Sequence, residues 1–236
     1  MAKRAGVRMS LLCIPVLNRP DLLAKCLASI DYPVDLLVID NSPEAFAAEV
    51  VAEHYAGDYF VTEPPANLGY GASVNLAIRT HPKDPFWLVA NADVEFAPGD
   101  LERLVTEMSQ GAGWVGITDW RVFGLSAEAV DRAGFFDEGF HPAFCEDADY
   151  ERRCDLTGVS RYFIDGQTTH VRSVTLGEER YARRNAQTYP SNLAYYEAKW
   201  GGPLRGGERF STPFDSGAHP RTWSLDRRRL ADNDWS

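Results

Sequence analysis

The stretch FWLVANADVEF, Phe86–Phe96, predicts both the class of fold and the position of a candidate site. Five apolar residues lead into Asn91 and Asp93, and the chain then turns at APGD. An apolar run of this kind is typical of a strand buried on both faces of a sheet. Burial does not explain the carboxamide and the carboxylate at its end, so we expect these two side chains to have a chemical role.

Strand and helix patterns alternate on both sides of this stretch. Strands are predicted at 9–14, 34–40, 58–63, 85–93, 113–120 and 160–165, and helices at 19–30, 43–55, 69–80, 98–110, 126–134, 145–158 and 179–200. The last helix is predicted to break near Pro190. The alternation implies parallel strands joined by right-handed crossovers, that is, an α/β sheet with helices on both faces. We predict one domain over residues 1–200 and an extended arm or partly disordered tail over 201–236.

The composition excludes several classes of protein. A net charge of −10 argues against a surface that follows nucleic-acid phosphates. The four cysteines show no CxxC and no zinc-type spacing, so they are interpreted as reduced residues. No apolar stretch approaches the 18 or so residues that a transmembrane helix needs. We therefore expect a soluble protein in the cytoplasm.

Polar side chains follow three of the predicted strands: Asn18, Asp40, Asn41, Asn91 and Asp93. In an open parallel sheet, ligands bind outside the carboxyl ends of the strands. Each residue could instead cap a helix or shape a turn. The set as a whole favours a site for a divalent cation, in which the Asp93 carboxylate is the main protein ligand and a substrate's phosphates complete the coordination.

A second acidic group begins the predicted helix at 145–158, where four carboxylates fall within six positions: Glu146, Asp147, Asp149 and Glu151. Acidic residues commonly complement the positive end of a helix, which is the simplest explanation. Four are more than that role needs. Neighbouring buried carboxylates repel each other and raise a pKa, which suits one of them to accept a proton from a hydroxyl.

Two further motifs are ambiguous on sequence alone. His170 follows a predicted strand and has Arg172 nearby, so it is either structural or part of a metal or diphosphate site. The run NLGYGASVN contains Gly69 and Gly71 but has Val74 at the third glycine position of a dinucleotide fingerprint. It also follows the third strand rather than the first, so a nicotinamide cofactor is a poor interpretation.

Taken in order, these motifs resemble the family-2 glycosyltransferases of the GT-A fold, especially bacterial and phage members related to rhamnosyltransferases. The resemblance covers roughly residues 9 to 175 and rests on PVLNRPDLLAKCLASI, VIDNS, NLGYGASVNLAI, ANADVEFAPGDL, GFFDEGFHPAFCEDADYERRC and a later histidine. It implies a nucleotide-sugar donor (UDP-, dTDP- or GDP-linked), Mn²⁺ or Mg²⁺, and transfer with inversion at the anomeric carbon.

The resemblance also implies roles for single residues. At the nucleotide end, Asp40 would read the donor base, and Pro15, Asn18, Asn67 and Gly69 would shape the nucleotide pocket.

At the reacting end, Asn91 and Asp93 correspond to the family's DxD motif, with Asp93 and His170 as metal ligands. Asp147 corresponds to the general base, and Glu146 supports it. Asn91 replaces the first carboxylate of that motif, which leaves one negative charge fewer and implies that metal binds together with the donor diphosphate.

Arginines beyond the histidine, namely Arg172, Arg183 and Arg184, are expected to cover the diphosphate. The sequence does not identify the acceptor, which could be a glycan, a lipid carrier, a protein or a modified base. The residues Trp120, Arg121, Phe136, Phe140 and His141 could line an acceptor cleft or could simply pack.

Two other functions stay open. A nucleotidyltransferase acting on a sugar phosphate also combines an α/β sheet with acidic metal ligands, although its usual Gly-rich, basic phosphate loop is not present in PVLNRPD. An inactive module that only binds a nucleotide sugar is the other alternative.

Overall fold

A computed structural model describes residues 9–170 and 179–205, and the side chains of residues 179–185 are not described. Its strands are β1 (Leu11–Val16), β2 (Asp35–Asp40), β3 (Tyr59–Thr62), β4 (Phe86–Ala90), β5 (Val94–Glu95), β6 (Trp114–Ile117), β7 (Asp119–Ser126), β8 (Arg161–Ile164) and β9 (Thr169–His170). Its helices are α1 (Pro20–Ala28), α2 (Ala47–His54), α3 (Tyr70–Thr80), α4 (Asp100–Ser109), α5 (Ala127–Ala133), α6 (Glu146–Thr157) and α7 (Glu179–Trp200).

The main sheet has seven strands in the order β3-β2-β1-β4-β7-β6-β8. β1 pairs in parallel with β2 and β4, and β3 and β8 also join in parallel. The predicted α/β architecture with a mostly parallel sheet is therefore confirmed. Because β1 and β4 are adjacent and parallel, their carboxyl ends lie side by side, which sets the position of the candidate site.

The apolar residues of the central strands are buried on both faces, whereas the edge strands β3 and β8 have exposed aromatic residues. α1, α2 and α4 pack on one face, with Leu23, Val51 and Leu104 in that core. α3, α5 and α6 pack on the other, where Val74 and Val130 are buried. Helices thus cover both faces of the sheet, and only its edges and strand ends are open to ligands.

Two local predictions were wrong. Residues 113–120 do not form one strand: Thr118 adopts a left-handed φ of 65°, and the chain reverses into β7, which runs antiparallel between β4 and β6. Nor does the last helix break near Pro190, because α7 continues through that residue. A proline removes one backbone donor, but the residues that follow it, such as Tyr196 and Trp200, are packed in the core and stabilise the helix.

α7 and the segment after it pack against the loop that leads into α6. Tyr196 and Trp200 of α7 form a third core cluster with Phe140, Cys145 and Ala148, and Leu204 packs against it. The described chain thus stays in contact with the domain just past the predicted boundary at residue 200. Residues 206–236, where the arm is predicted, lie outside the described residues. No helix of the described ranges is long and apolar enough to span a bilayer.

Candidate active site

A cavity of about 240 Å³ opens at the carboxyl ends of β1 and β4. Its walls come from the end of β1 and the residues that follow it into α1, the segment after β4, one residue of α3 and one of β9. They are Pro15, Val16, Leu17, Asn18, Arg19, Leu22, Tyr70, Asn91, Ala92, Asp93 and His170. The structure therefore brings together five residues predicted for the site, which are distant in sequence.

Asp93 and His170 form the polar centre of this cavity. β5 and β9 pair antiparallel with Val94 opposite His170, which places His170 Nε2 2.9 Å from Asp93 Oδ2. Burial raises the pKa of Asp93, and the positive charges of His170 and Arg121 oppose that rise without cancelling it. A half-buried carboxylate beside an imidazole is thus the main charged feature at this edge of the sheet.

The pair suits a divalent cation. Adjacent ligands of an octahedral ion with bonds near 2.1 Å lie about 3 Å apart, close to the separation of these two atoms. Asn91 Oδ1 is buried and has no hydrogen-bond partner among the described residues, so a neutral oxygen is available beside the pair. No group of three His, Cys, Asp or Glu side chains suited to a metal occurs within the described ranges. An ion here would need ligands from a substrate or water.

The segment after β1 reaches the cavity in a strained conformation. Asn18 and Arg19 are consecutive non-glycine residues with left-handed φ angles of 55° and 62°. The Asn18 backbone N–H donates to Ser42 Oγ at 2.7 Å, and the Arg19 guanidinium donates to both carboxylate oxygens of Asp21. Such backbone strain clusters at ligand sites, where surrounding contacts hold it in place.

Asp40 accepts hydrogen bonds from the backbone at the start of α2. One of its oxygens accepts a hydrogen bond from the Ser42 backbone N–H, and the other accepts from Phe46 and Ala47 at the start of α2. The carboxylate is buried, and Asp40 is not part of the cavity wall. These contacts match the helix-capping alternative, while base reading by Asp40 stays a prediction.

Asn67 and Gly69 shape the start of α3. Asn67 Oδ1 accepts a hydrogen bond from the Gly69 backbone N–H at 2.8 Å. Gly69 has a φ of 81°, and a Cβ there would lie 2.7 Å from the carbonyl oxygen of Pro142. Only glycine permits this close approach, which joins α3 to the loop before α6. The two residues therefore lie beside the cavity rather than in its wall.

Glu146 and Asp147 begin α6 in two different environments. Phe144 and Cys145, directly before them, both have left-handed φ angles. Glu146 is only 8% exposed, and its Oε2 has no hydrogen-bond partner in the described part of the chain. Burial, with the negative charge of Asp147 beside it, raises the pKa of Glu146 to about 8. The Asp147 side chain is 37% exposed and its Oδ2 lies 3.4 Å from Arg205 Nη2, so a substrate that reaches this carboxylate also meets the arginine.

Tyr70 links the two acidic groups. It lines the cavity with Asp93, and its backbone N–H donates to the Pro142 carbonyl oxygen at 2.7 Å. Burial raises the pKa of the Tyr70 hydroxyl well above its usual range, and the negative charges of Glu146, Asp147 and Asp93 add to the rise. The negative charges of Asp93, Glu146 and Asp147 thus all act on one buried hydroxyl.

α7 holds in place the loop that leads into α6, directly before Glu146 and Asp147. The Asn192 side chain donates to the carbonyl oxygens of Ala143 and Phe144 at 2.7 and 3.1 Å. Asn192 is itself buried, so the strained residues before α6 are fixed from the interior.

Sequence reasoning missed part of this site. Tyr70 lies within a motif in which only Asn67 and the glycines were assigned roles, although an aromatic hydroxyl at the start of a helix beside two predicted strand ends is a usable signal. Arg19 carried no signal beyond its position after β1.

Of the other predicted residues, two lie in the core and three are not fully described by the structure. Phe136 and Phe140 are buried in the core, so they pack rather than line an acceptor cleft. Arg172 lies outside the described residues, as do the side chains of Arg183 and Arg184.

Comparison with known proteins identifies the family. The model of glycosyl transferase family 2 matches residues 11–128, which is half of the chain. A galactofuranosyl glycosyltransferase of Leishmania donovani is 24% identical over 233 aligned positions, covering 60% of this chain and 53% of that protein. An uncharacterised glycosyltransferase of Mycobacterium tuberculosis is 35% identical over 121 positions, covering 51% and 53%. The matched region is thus about half the length of these relatives.

Solved structures show the same fold. A crystal structure of an S. aureus TarS fragment superposes with a TM-score of 0.52 at 13% identity, covering 66% of this chain and 58% of that one. The same fragment in complex with UDP gives 0.50 at 12% identity, covering 66% and 60%. The family match and this shared architecture confirm the predicted GT-A fold, and the chain belongs to glycosyl transferase family 2.

Proposed function

We propose that this chain transfers a sugar from a nucleotide-sugar donor to an acceptor hydroxyl, with inversion at the anomeric carbon. The observation that carries the proposal is the arrangement around Tyr70. Its cavity contains the Asp93–His170 pair, and its hydroxyl is within electrostatic reach of Glu146 and Asp147. A metal-binding acid and a proton-accepting acid can therefore act on one substrate.

The donor is proposed to enter at the carboxyl ends of β1 and β4. Pro15, Asn18 and Asn91 line this cavity, and its opening at the sheet edge is where nucleotides bind in related α/β architectures. The crystallised TarS complex with UDP, which shares the fold, supports a nucleoside diphosphate as the common part of the donor. UDP-, dTDP- and GDP-linked sugars are the candidates.

The proposed cofactor is Mn²⁺ or Mg²⁺, held by Asp93 and His170. Carboxylate oxygen and imidazole nitrogen are suitable ligands for Mn²⁺, and the buried Asn91 Oδ1 is a further oxygen beside them. When bound, such an ion would neutralise the charge that develops on the departing diphosphate. Because the protein supplies only two charged or ionisable ligands from the described residues, donor and metal are expected to bind together.

Asp147 is the proposed general base. Its carboxylate is accessible, and its Oδ1 accepts a hydrogen bond from the Ala148 backbone N–H at 2.7 Å, which fixes its orientation. It would take the proton of the acceptor hydroxyl as that oxygen attacks the sugar carbon opposite the diphosphate. Glu146 is protonated at neutral pH because of its raised pKa, so it would orient groups by hydrogen bonding rather than accept a proton.

A thermal-shift screen tests the proposal directly. Purified protein is heated with UDP, GDP, dTDP and CMP sugars, each with and without Mn²⁺. The expected result is stabilisation by one nucleotide class that increases with Mn²⁺. Stabilisation by none of them would contradict the proposal. Proton NMR of the product then reports the anomeric configuration, and donor binding without any turnover or hydrolysis would favour the inactive binding module.

A further inference from the structure

Three buried side-chain oxygens around the candidate site lack hydrogen-bond partners among the described residues: Asn91 Oδ1, the Tyr70 hydroxyl and Glu146 Oε2. Buried polar groups in proteins are nearly always hydrogen-bonded, because an unpaired one loses the hydrogen bonds that water would give it. Asn91 adjoins the proposed metal pair and is accounted for there. Tyr70 and Glu146 need another explanation.

The backbone of Tyr70 is fixed in position at the start of α3. Gly69 allows the backbone to approach Pro142, and the Tyr70 N–H donates to the Pro142 carbonyl oxygen at 2.7 Å. The residue begins α3, whose following turns are packed in the core. Tyr70 also lines the cavity, and its hydroxyl has no hydrogen-bond partner among the described residues, as expected of a group arranged in advance for a ligand.

The position of Tyr70 specifies which part of a substrate it meets. The nucleotide end of the cavity is lined by Pro15 and Asn18, and the proposed diphosphate position is at Asp93. The proposed base, Asp147, is on α6, and its negative charge acts on the Tyr70 hydroxyl together with that of Asp93. In a displacement with inversion, the transferred sugar lies between the diphosphate and the base.

We propose that the Tyr70 hydroxyl, with the Glu146 carboxyl, forms the subsite that hydrogen-bonds a hydroxyl of the transferred sugar. Tyr70 donates the hydrogen bond and thereby contributes to the choice of donor sugar. The inference rests on the proposed function, because it assigns a part of the same donor. It does not depend on which nucleotide base the donor carries.

The experiment compares wild type with Tyr70→Phe by calorimetry in Mn²⁺. The ligands are UDP-, dTDP- and GDP-hexoses and the matching free diphosphates UDP, dTDP and GDP. Tyr70→Phe should weaken binding of the sugar nucleotide about tenfold, as expected for one lost hydrogen bond, and leave the free diphosphate within about twofold. An equal loss for both ligands, or none for the sugar nucleotide, overturns the inference while the proposed function stands.

Stability supplies an independent readout. The Tyr70 hydroxyl has no partner in the described chain, so the ligand-free Tyr70→Phe variant should melt at or above the wild-type temperature. Tyr55→Phe is the matched control, since the Tyr55 hydroxyl donates to the Val34 carbonyl oxygen at 2.6 Å near the start of β2. That variant should lose stability and keep wild-type donor affinity. A clear drop in the melting temperature of Tyr70→Phe would show a structural bond and overturn the inference.

Deoxy donors identify the contacted hydroxyl. A donor that lacks it should bind wild type about tenfold more weakly than the parent donor, and Tyr70→Phe should bind both donors equally. If every deoxy donor weakens both proteins by the same factor, the subsite is not formed by Tyr70. If no nucleotide in the panel binds wild type at all, the proposed function fails and this inference fails with it.

Discussion

The Nε2 atom of His170 lies 2.9 Å from Oδ2 of Asp93, although the two residues are far apart in the sequence. The contact exists because β5 and β9, each only two residues long, pair antiparallel at the edge of the sheet. The proposed metal ion and a proton shared by this pair would compete for the same atoms, so metal binding here would be coupled to protonation.

Asp93→Ala should make nucleotide binding insensitive to Mn²⁺. Without the carboxylate, the ion loses its only charged ligand in the described cavity wall. Calorimetric titration of the nucleotide with and without Mn²⁺ measures the effect. Glu95→Ala is the control, because Glu95 is two residues after Asp93, on β5, but is not in the cavity wall, and this variant should keep the metal dependence. An Mn²⁺ effect that persists in Asp93→Ala would disprove the metal assignment.

Asp147→Asn should reduce transfer by a factor of about 10² to 10⁴, because the amide cannot accept the acceptor's proton. Donor affinity should stay near the wild-type value, since Asp147 is outside the donor cavity. Initial rates and calorimetry on the same preparation separate the two effects. Asp155→Asn, near the far end of α6 and 65% exposed, should retain activity. Full turnover by Asp147→Asn would remove Asp147 as the base.

Much of the fold follows from local patterns in the sequence. The alternation of apolar strands and amphipathic helices predicts the layers, and the polar ends of β1 and β4 predict where Asn18, Asn91 and Asp93 meet. Periodicity does not encode the direction of pairing, and so the antiparallel β7 was missed. For Asp40 the sequence left ligand binding and helix capping both open, because an aspartate after a strand looks the same whether it binds a ligand or backbone amides.

Contacts across the chain account for the rest of the site. The metal role of His170 came from resemblance rather than from spacing, since a two-residue strand has no recognisable period. Nothing in the local sequence of α7 indicates that Asn192 binds the carbonyl oxygens before α6. Tyr70 was missed for the same reason: its importance depends on Glu146, Asp147 and Asp93 all acting on one hydroxyl.

Glu146 should make the protein less stable as pH rises. Its pKa in the folded protein is about 8, above the ordinary value of 4.5, so the folded state retains a proton that the unfolded chain has released. The resulting stability is fully present below about pH 4.5 and is lost as pH rises toward 8. Glu146→Gln, which is neutral throughout, should lack this loss.

The measurement is the melting temperature of both proteins between pH 5 and pH 9. The temperature of Glu146→Gln minus that of wild type should increase with pH and level off above pH 8. Glu102→Gln, an exposed position on α4, should show a constant difference. A difference for Glu146→Gln that does not change with pH would contradict the raised pKa.

A buried ionic network lies behind the loop that carries the proposed base. Lys199 Nζ is 2.6 Å from both Asp137 Oδ2 and Asp149 Oδ1, and Arg153 Nη2 is 2.9 Å from Asp149 Oδ2. All four side chains are almost completely buried. Burial opposes ionisation of Asp137, yet the charge and hydrogen bond of Lys199, the backbone N–H of Gly139 and the charge of Arg153 together lower the Asp137 pKa. Lys199 therefore compensates two buried carboxylates that would otherwise be unfavourable.

Lys199→Met should destabilise the fold by about 3–5 kcal/mol, because it leaves Asp137 and Asp149 buried without their shared cation. Urea denaturation measures the change. Lys25→Met, at an exposed position of α1, is the matched control and should alter stability by less than about 0.5 kcal/mol. Asp137 lies before the loop that leads into α6, and Asp149 lies on α6 itself. Because both residues help to position α6, which carries Glu146 and Asp147, the folded variant should also lose turnover. Near-wild-type stability of Lys199→Met would show that the network is not needed to hold α6 in place.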